Sequence, residues 1–168
     1  SLQSEQNKDF TVLVKTVGSV VPENVMLMIN GQSYFMETNR MGEFQYTFEK
    51  LSTTTDFHLE ANKVNSKDYQ VQVIAVPSIA NFDMVLDYPS YLKRKSETIK
   101  GSGNAIIPEG TKVTWKMNTV ATKNVDMEFN AQKVSFGGTN NQFSIFKVIT
   151  DNFDYTVLTS NDKVFNYE

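Results

Sequence analysis

The sequence predicts an all-β protein made of two tandem β-sandwiches, and three observations support this fold class. Apolar and polar residues alternate with a period of two along most of the chain, as they do in strands with one buried face. Turn residues interrupt these segments at short intervals, which is typical of sandwiches. The two halves of the chain also match each other segment by segment. A duplicated sandwich accounts for all three observations.

Composition and charge exclude several classes of function. The 168 residues carry 16 Lys and Arg against 19 Asp and Glu, a net charge of −3, whereas a general nucleic-acid binder needs a basic footprint. The chain has no Cys, so disulfides and thiolate metal sites are excluded. Its single His excludes a metal site built from several imidazoles. The sequence therefore predicts no metal, no cofactor and no nucleic-acid partner.

Strand patterns fill the first half of the chain. The dipeptide Asn30-Gly31 between two apolar segments predicts a tight hairpin, because both central residues of a type I′ turn need a positive φ. Pro77 cannot donate to a strand ladder and marks a break between the halves. The alternating sets are Phe10/Val12/Val14, Val25/Leu27/Ile29, Tyr34/Met36, Phe44/Tyr46/Phe48 and Phe57/Leu59/Ala61, followed by a β-branched segment at residues 69–76.

The second half has the same character. Phe82, Met84 and Leu86 predict an entering strand, and residues 87–110 form a loop-rich stretch with several Gly and Pro. Strands are then predicted at residues 112–118, 124–130, 132–136, 142–150, 153–160 and 163–168. No segment between them has the length and period of a helix.

Matching segments indicate an internal duplication. Residues 24–32 align with residues 124–132, Phe44 with Phe143, and Phe57 with Tyr155, and the offset drifts only by single residues. Such drift is expected when a duplicated domain acquires short loop insertions. The alignment predicts one sandwich at residues 1–76, lacking its first strand, and a duplicate at residues 77–168.

The segment 108–115 is similar to the part of immunoglobulin-like domains in which a Gly turn leads into the second strand. Trp115 is predicted to point inward as the core aromatic of the second domain. Since the chain has no Cys, the prediction is an immunoglobulin-like layout without the disulfide.

An apolar patch is the first candidate site. Alternation places Met26, Met28 and Phe35 on the outward face of the first domain. The second domain has polar residues at these positions: Asp126, Glu128 and Ser135. Exposed apolar patches mark contact surfaces when they are large, so these three residues are a possible interaction surface. Packing within the chain or against the rest of a parent protein is the simpler interpretation.

Tyr88 and Tyr91 are the second candidate, as a weak platform on which a glycan could stack. Packing of both rings on the edge of the sandwich is the simpler explanation. The remaining polar features carry no recognisable catalytic or ligand-binding pattern and are explained as solvated strand, loop or turn residues: His58, Asp151, Asp154, Asp162, the Gly101-to-Asn104 loop and the basic run Lys93-Arg94-Lys95.

The chain resembles a family of long bacterial membrane proteins of unknown function. The segments 76–79, 86–91 and 103–113 carry the resemblance, above all a Pro-Ser-Tyr step at residues 89–91 followed by Pro-x-Gly-Thr at residues 108–111. In this family, membrane helices near the N-terminus precede tandem immunoglobulin-like domains and a long charged helical region. The resemblance implies an extracytoplasmic fragment of a larger anchored protein, in the periplasm or cell envelope, and it brings no catalytic residues.

These observations predict a structural or protein-binding module without enzymatic activity, whose partner is another protein or the remainder of the parent chain. Carbohydrate recognition by Tyr88, Tyr91 or Phe35 is an alternative. A hydrolase with its site at the junction of the two domains is a third hypothesis, which a cleft holding convergent polar side chains would support.

Overall fold

The computed structural model describes residues 1–168 and divides them into two compact units, Ser1–Ala75 and Val76–Glu168. The predicted division, after residue 76, lies one residue away. Every regular element is a strand, apart from one short 3₁₀ turn at Ser90–Leu92. The alternation of apolar residues causes this outcome, because it matches the pleat of a strand and cannot form a helical stripe.

In the first unit, two sheets enclose one core. One sheet has the order β2-β6-β5, and the other has the order β1-β9-β7-β3-β4 with β8 paired to β7. The strands are β1 (Leu2–Glu5), β2 (Lys8–Lys15), β3 (Met26–Ile29), β4 (Gln32–Phe35), β5 (Glu37–Arg40), β6 (Glu43–Leu51), β7 (Thr55–Ala61), β8 (Val64–Asn65) and β9 (Tyr69–Ile74).

In the second unit, the sheets have the orders β11-β10-β12-β16-β15 and β14-β13-β17. The strands are β10 (Ser78–Asp87), β11 (Glu97–Lys100), β12 (Lys112–Val120), β13 (Asn124–Phe129), β14 (Gln132–Ser135), β15 (Gly137–Thr139), β16 (Gln142–Val148) and β17 (Thr156–Ser160).

Corresponding strands pair in the same order in both units. In one sheet of each unit, β2-β6-β5 of the first unit corresponds to β12-β16-β15 of the second. In the other sheet, β4-β3-β7 of the first unit corresponds to β14-β13-β17 of the second. The predicted fold class is confirmed: the chain is all-β, with immunoglobulin-like sandwiches and no disulfide. That the two units arose by duplication stays a prediction from the sequence.

Each unit has its own hydrophobic core. In the first unit, Phe44 and Leu27 come from opposite sheets and are almost completely buried. In the second unit, Trp115 is 2% exposed, as predicted, and packs with Val113, Met127 and Leu86. Burial of such side chains provides roughly 1.5–3 kcal/mol each, so these contacts dominate the stability of both sandwiches.

Several elements differ from the predictions, and the short strands β5, β8 and β15 were not predicted at all. β1 was not predicted, and it pairs in parallel with β9 instead of lying beside β2. The loop-rich segment 87–110 contains β11, which pairs with β10. Residues 163–168 form no strand and make only one isolated bridge, between Thr159 and Tyr167. All of these differences concern sheet edges, where pairing depends on distant partners and the local pattern is weak.

An ion cluster joins β2, β5 and β6 on the outside of the first unit. Glu43 accepts hydrogen bonds from Arg40 at 2.6 and 2.8 Å, and Lys15 Nζ lies 3.1 Å from Glu43 Oε1. The hydrogen bonds from Arg40 and then Lys15 lower the pKa of Glu43 to about 2. The Glu43 carboxylate therefore loses its charge at a lower pH in the folded chain than in the unfolded chain.

The lowered pKa predicts an acid-dependent contribution to stability. The stabilising effect of Glu43 is present above its ordinary pKa of 4.5 and disappears as the pH falls towards about 2. We expect the melting temperatures of the wild type and Glu43→Gln to converge over this interval. Glu49→Gln on the same strand is the control, since Glu49 forms no ion pair in the structure. A difference in melting temperature between wild type and Glu43→Gln that stays constant down to pH about 2 would contradict the prediction.

Candidate interaction surface

The β3–β4 hairpin positions the apolar patch. Its turn contains Asn30 with φ 48° and Gly31 with φ 77°, the positive values that the Asn-Gly pair predicts. This turn sets a register in which Met26 lies opposite Phe35 and Met28 lies opposite Ser33. Because residues two apart share a face, Met26, Met28 and Phe35 lie together on the outer face of the sheet. These three residues are called the apolar face below.

Burial along the hairpin follows the alternation. Leu27 is fully buried and Met36 is 6% exposed, whereas Phe35 on the opposite face is 68% exposed. Met26 and Met28 are half-buried. Tyr34 points inward, as predicted, and its ring centre lies 5.8 Å from that of Tyr46 on the opposite sheet. It is nevertheless 37% exposed, and its hydroxyl donates to Gln32 Oε1 at 2.8 Å. β4 lies at the edge of its sheet, so Tyr34 is covered from one side only.

Strand β7 borders the apolar face with polar groups. Glu60 lies opposite Met26, and His58 lies opposite Met28. His58 points outward, as predicted, and its Nδ1 lies 4.0 Å from Asp68 Oδ1. Asp56 continues the same row and accepts a hydrogen bond from Gln70 at 2.7 Å. The apolar face therefore has a rim of carboxylates along one side.

The equivalent face of the second unit is polar. There, Asp126 lies opposite Ser135 in the register that Met26 and Phe35 occupy in the first unit. The Ser135 hydroxyl donates to Asp126 Oδ1 at 2.6 Å, and Lys133 Nζ lies 3.4 Å from Asp126 Oδ2. The hydrogen-bonded polar residues Asp126 and Ser135 of the second unit thus correspond to the apolar residues Met26 and Phe35 of the first.

The two tyrosines of the second unit have different surroundings. The Tyr88 hydroxyl donates to Glu97, and the Arg94 guanidinium lies 3.9 Å from the centre of the Tyr88 ring. The hydrogen bond to Glu97, and to a lesser extent burial, raises the pKa of Tyr88. One ring face of Tyr88 is therefore occupied. Tyr91, on the 3₁₀ turn, is 73% exposed, so of the two rings it is the more open for stacking.

The second unit contains a groove that the sequence did not predict. It has a volume of about 670 Å³ and is lined by residues from the 101–107 loop, β12 and the 149–157 segment, including Trp115, Asp151, Phe153, Asp154 and Tyr155. The sequence pattern assigned Asp151 and Asp154 to turns, and no local signal places them beside the aromatic residues of distant strands.

The structure contains no group of three or more His, Cys, Asp or Glu side chains that could hold a metal ion. It also contains no helix with the length and apolar character that crossing a membrane requires.

No protein-family model and no curated protein matches the chain. Several solved structures are similar to it, among them the following two. The fibronectin(III)-like modules of Clostridium thermocellum CbhA have 11% sequence identity and a TM-score of 0.34, over 96% of this chain and 81% of theirs. SGBP-B of the Bacteroides ovatus mixed-linkage glucan utilization locus, in complex with a mixed-linkage heptasaccharide, has 15% identity and a TM-score of 0.27. That match covers 95% of this chain and 48% of SGBP-B.

Proposed function

We propose that this chain is a non-catalytic protein-binding module and that its first unit binds a partner through the apolar face. The observation that carries the proposal is the substitution of Met26 and Phe35 for the hydrogen-bonded pair Asp126 and Ser135 in the same register. Phe35 is 68% exposed, and its removal from water by a partner would stabilise the complex. Aromatic residues and Met are enriched in the centres of protein interfaces.

The charges around the apolar face define the partner. Glu60, Asp68 and Asp56 lie along the side formed by β7. A protein surface with an apolar centre and a Lys- or Arg-rich rim complements this arrangement. Charges at a rim act mainly on the rate of association, so binding should be faster at low salt than at high salt.

The proposal also includes where in the cell the module acts. The resemblance of residues 76–113 to the envelope family supports a place on the extracytoplasmic side of a membrane-anchored bacterial protein. We take a separate protein as the partner of the apolar face. Binding to another part of the parent protein is the competing outcome, which purified parent segments would reveal.

Exchange of one residue pair tests the proposed surface. The double variant Met26→Asp/Phe35→Ser gives the first unit the polar pair of the second. We expect the free energy of unfolding of the first unit to fall by about 1–2 kcal/mol, because Met26 is only half-buried but the introduced aspartate faces Glu60 on β7. Peptides selected on the wild type from a random display library should carry aromatic or aliphatic residues flanked by Lys or Arg. Their affinity for the double variant should fall at least about ten-fold, which corresponds to about 1.4 kcal/mol.

Met41→Ser is the matched control, since Met41 is 86% exposed in a turn outside the apolar face. This variant should bind the selected peptides as the wild type does. Peptides that are acidic, or that bind the double variant and the wild type equally well, would contradict the proposed surface.

A second candidate function is glycan binding in the groove of the second unit. Its support is the combination of Asp and Asn side chains with exposed apolar residues, such as Ile106, along one groove, which is a common composition for ligand sites. A glycan array probed with the wild type, Asp154→Ala and Tyr91→Ala tests it. Binding that depends on Asp154 locates the site in the groove, binding that depends on Tyr91 locates it on the 3₁₀ turn, and an array without hits removes the candidate.

A further inference from the structure

Strand β2 presents an open edge. It is the terminal strand of the order β2-β6-β5, and its outward residues Asp9, Thr11, Leu13 and Lys15 are all exposed. The pairing irregularity between β2 and β6 lies on β6, where Lys50 has φ 45°, so β2 itself is regular. In the second unit, the corresponding strand β12 has this edge covered by β10.

The hydrogen bonds of β2 show which backbone groups are free. The register with β6 continues to Lys15 opposite Glu43, and Thr16 N–H then donates to Gly42 O at 2.9 Å. In an antiparallel strand, alternate residues direct both N–H and C=O to the same neighbour. Residues 10, 12 and 14 therefore bond to β6. Residues 9, 11, 13 and 15 direct their N–H and C=O groups away from the sheet.

We propose that a second copy of this chain pairs with β2 in antiparallel orientation, about a twofold axis at Val12. This register places Asp9 opposite Lys15 of the second copy at both ends. It also places Thr11 opposite Leu13 and Phe10 opposite Val14. The half-buried Phe10 and Val14 would extend the apolar inner row across the new pair, since odd residues face odd ones and even residues face even ones. The free N–H and C=O groups of both strands then face each other.

Charge complementarity selects both the occupant and the register. If the register between the two copies shifts by two residues, Asp9 lies opposite Leu13 in one direction of shift and opposite a residue beyond the end of β2 in the other. Both oppositely charged pairs are lost in either case. Asp9 Oδ1 accepts from Lys50 N at 2.8 Å, which leaves Oδ2 for a cation. The covered edge of the second unit uses the same device, with Lys112 opposite Asp87 and Lys116 opposite Asp83. Opposite charges facing each other across strands are stabilising, whereas like charges are destabilising.

Sedimentation equilibrium of four samples tests the pairing. The wild type should reach twice the mass of one chain as its concentration rises. Asp9→Lys and Lys15→Asp should each dissociate at least about ten-fold more readily, because each places like charges opposite one another at both ends. An equimolar mixture of these two variants should recover dimers. In a mixed pair, the introduced lysine faces the introduced aspartate at one end, and the native Asp9 faces the native Lys15 at the other. Thermal melts verify that both variants fold. A monomeric wild type, or a mixture no more associated than its components, overturns the proposal.

Two measurements test the geometry. In hydrogen exchange by NMR, the amides of residues 11 and 13 should exchange quickly in dilute samples and slow down as dimers form, whereas those of residues 12 and 14 should be slow throughout. Because the chain has no Cys, a mixture of Thr11→Cys and Leu13→Cys chains should cross-link faster than either variant alone. Dimers in which the amides of residues 11 and 13 stay fast would overturn pairing through β2.

The outcome is separable from that of the proposed function. Met26→Asp/Phe35→Ser changes the other sheet of the first unit, so it should leave dimerisation through β2 unchanged. Dimers that dissociate in this variant and persist in Lys15→Asp would assign self-association to the apolar face and overturn the β2 pairing.

Discussion

Replacing Gly138 with Ala should destabilise the second unit by about 3 kcal/mol or more, whereas Gly137→Ala should cost less than about 1 kcal/mol. Gly138 has φ 138°, and a Cβ there would lie 2.0 Å from Gln142 O and 2.9 Å from Phe143 Cα. Both contacts are with backbone, so no side chain can rotate away. Phe143 is 5% exposed in the core, which prevents β16 from moving outward. At Gly137 the nearest atom, Ser144 O, would be 3.8 Å away.

Chemical denaturation followed by tryptophan fluorescence measures this effect. The chain has one Trp, and Trp115 lies in the core of the second unit, so the signal reports on that unit. Equal midpoints for Gly138→Ala and Gly137→Ala would show that the β15–β16 pair adapts and would contradict the prediction.

Tyr155→Phe should have the second large effect and lower the free energy of unfolding of the second unit by about 1–3 kcal/mol. Trp115 is 2% exposed, and its Nε1–H donates to the Tyr155 hydroxyl oxygen at 3.0 Å, while that hydroxyl donates to Gly103 O at 2.6 Å. Phenylalanine preserves the ring contact with Trp115 but leaves a buried indole N–H without an acceptor. Tyr88→Phe is the control, because the Tyr88 hydroxyl bonds to an exposed carboxylate. A loss for Tyr155→Phe no larger than for Tyr88→Phe would contradict the argument.

The same hydroxyl predicts an alkaline dependence of stability. Burial raises the pKa of Tyr155 above its ordinary value of 10.0, against the smaller opposing effect of the hydrogen bond from Trp115. A raised pKa means that the stabilising effect is present below pH 10 and is lost as the pH rises through the pKa of the folded state. The difference in stability between wild type and Tyr155→Phe should therefore shrink above pH about 10. A difference that stays constant there would assign the loss to packing alone.

Much of the candidate surface could be predicted from local pattern. Asn30-Gly31 predicts the hairpin, and alternation then places Met26, Met28 and Phe35 on one face and Leu27 on the other. Alternation also gives the inward direction of Tyr34, but its degree of burial could not be predicted, because that depends on whether a further strand covers β4. The availability of Tyr88 could not be predicted, since Arg94 and Glu97 reach it through the fold of a loop.

The sequence by itself determined the strand type of most elements and the face on which their side chains lie, because both follow from a period of two along the chain. Only the tertiary structure decided which edges are covered. β1 pairs with β9 and leaves β2 open, whereas β10 covers β12. Such pairings depend on backbone groups far apart in sequence, and every non-Pro residue carries the same N–H and C=O whatever its side chain. The alternation therefore predicts strands and faces, while their neighbours in the sheet are decided by the packing of the whole domain.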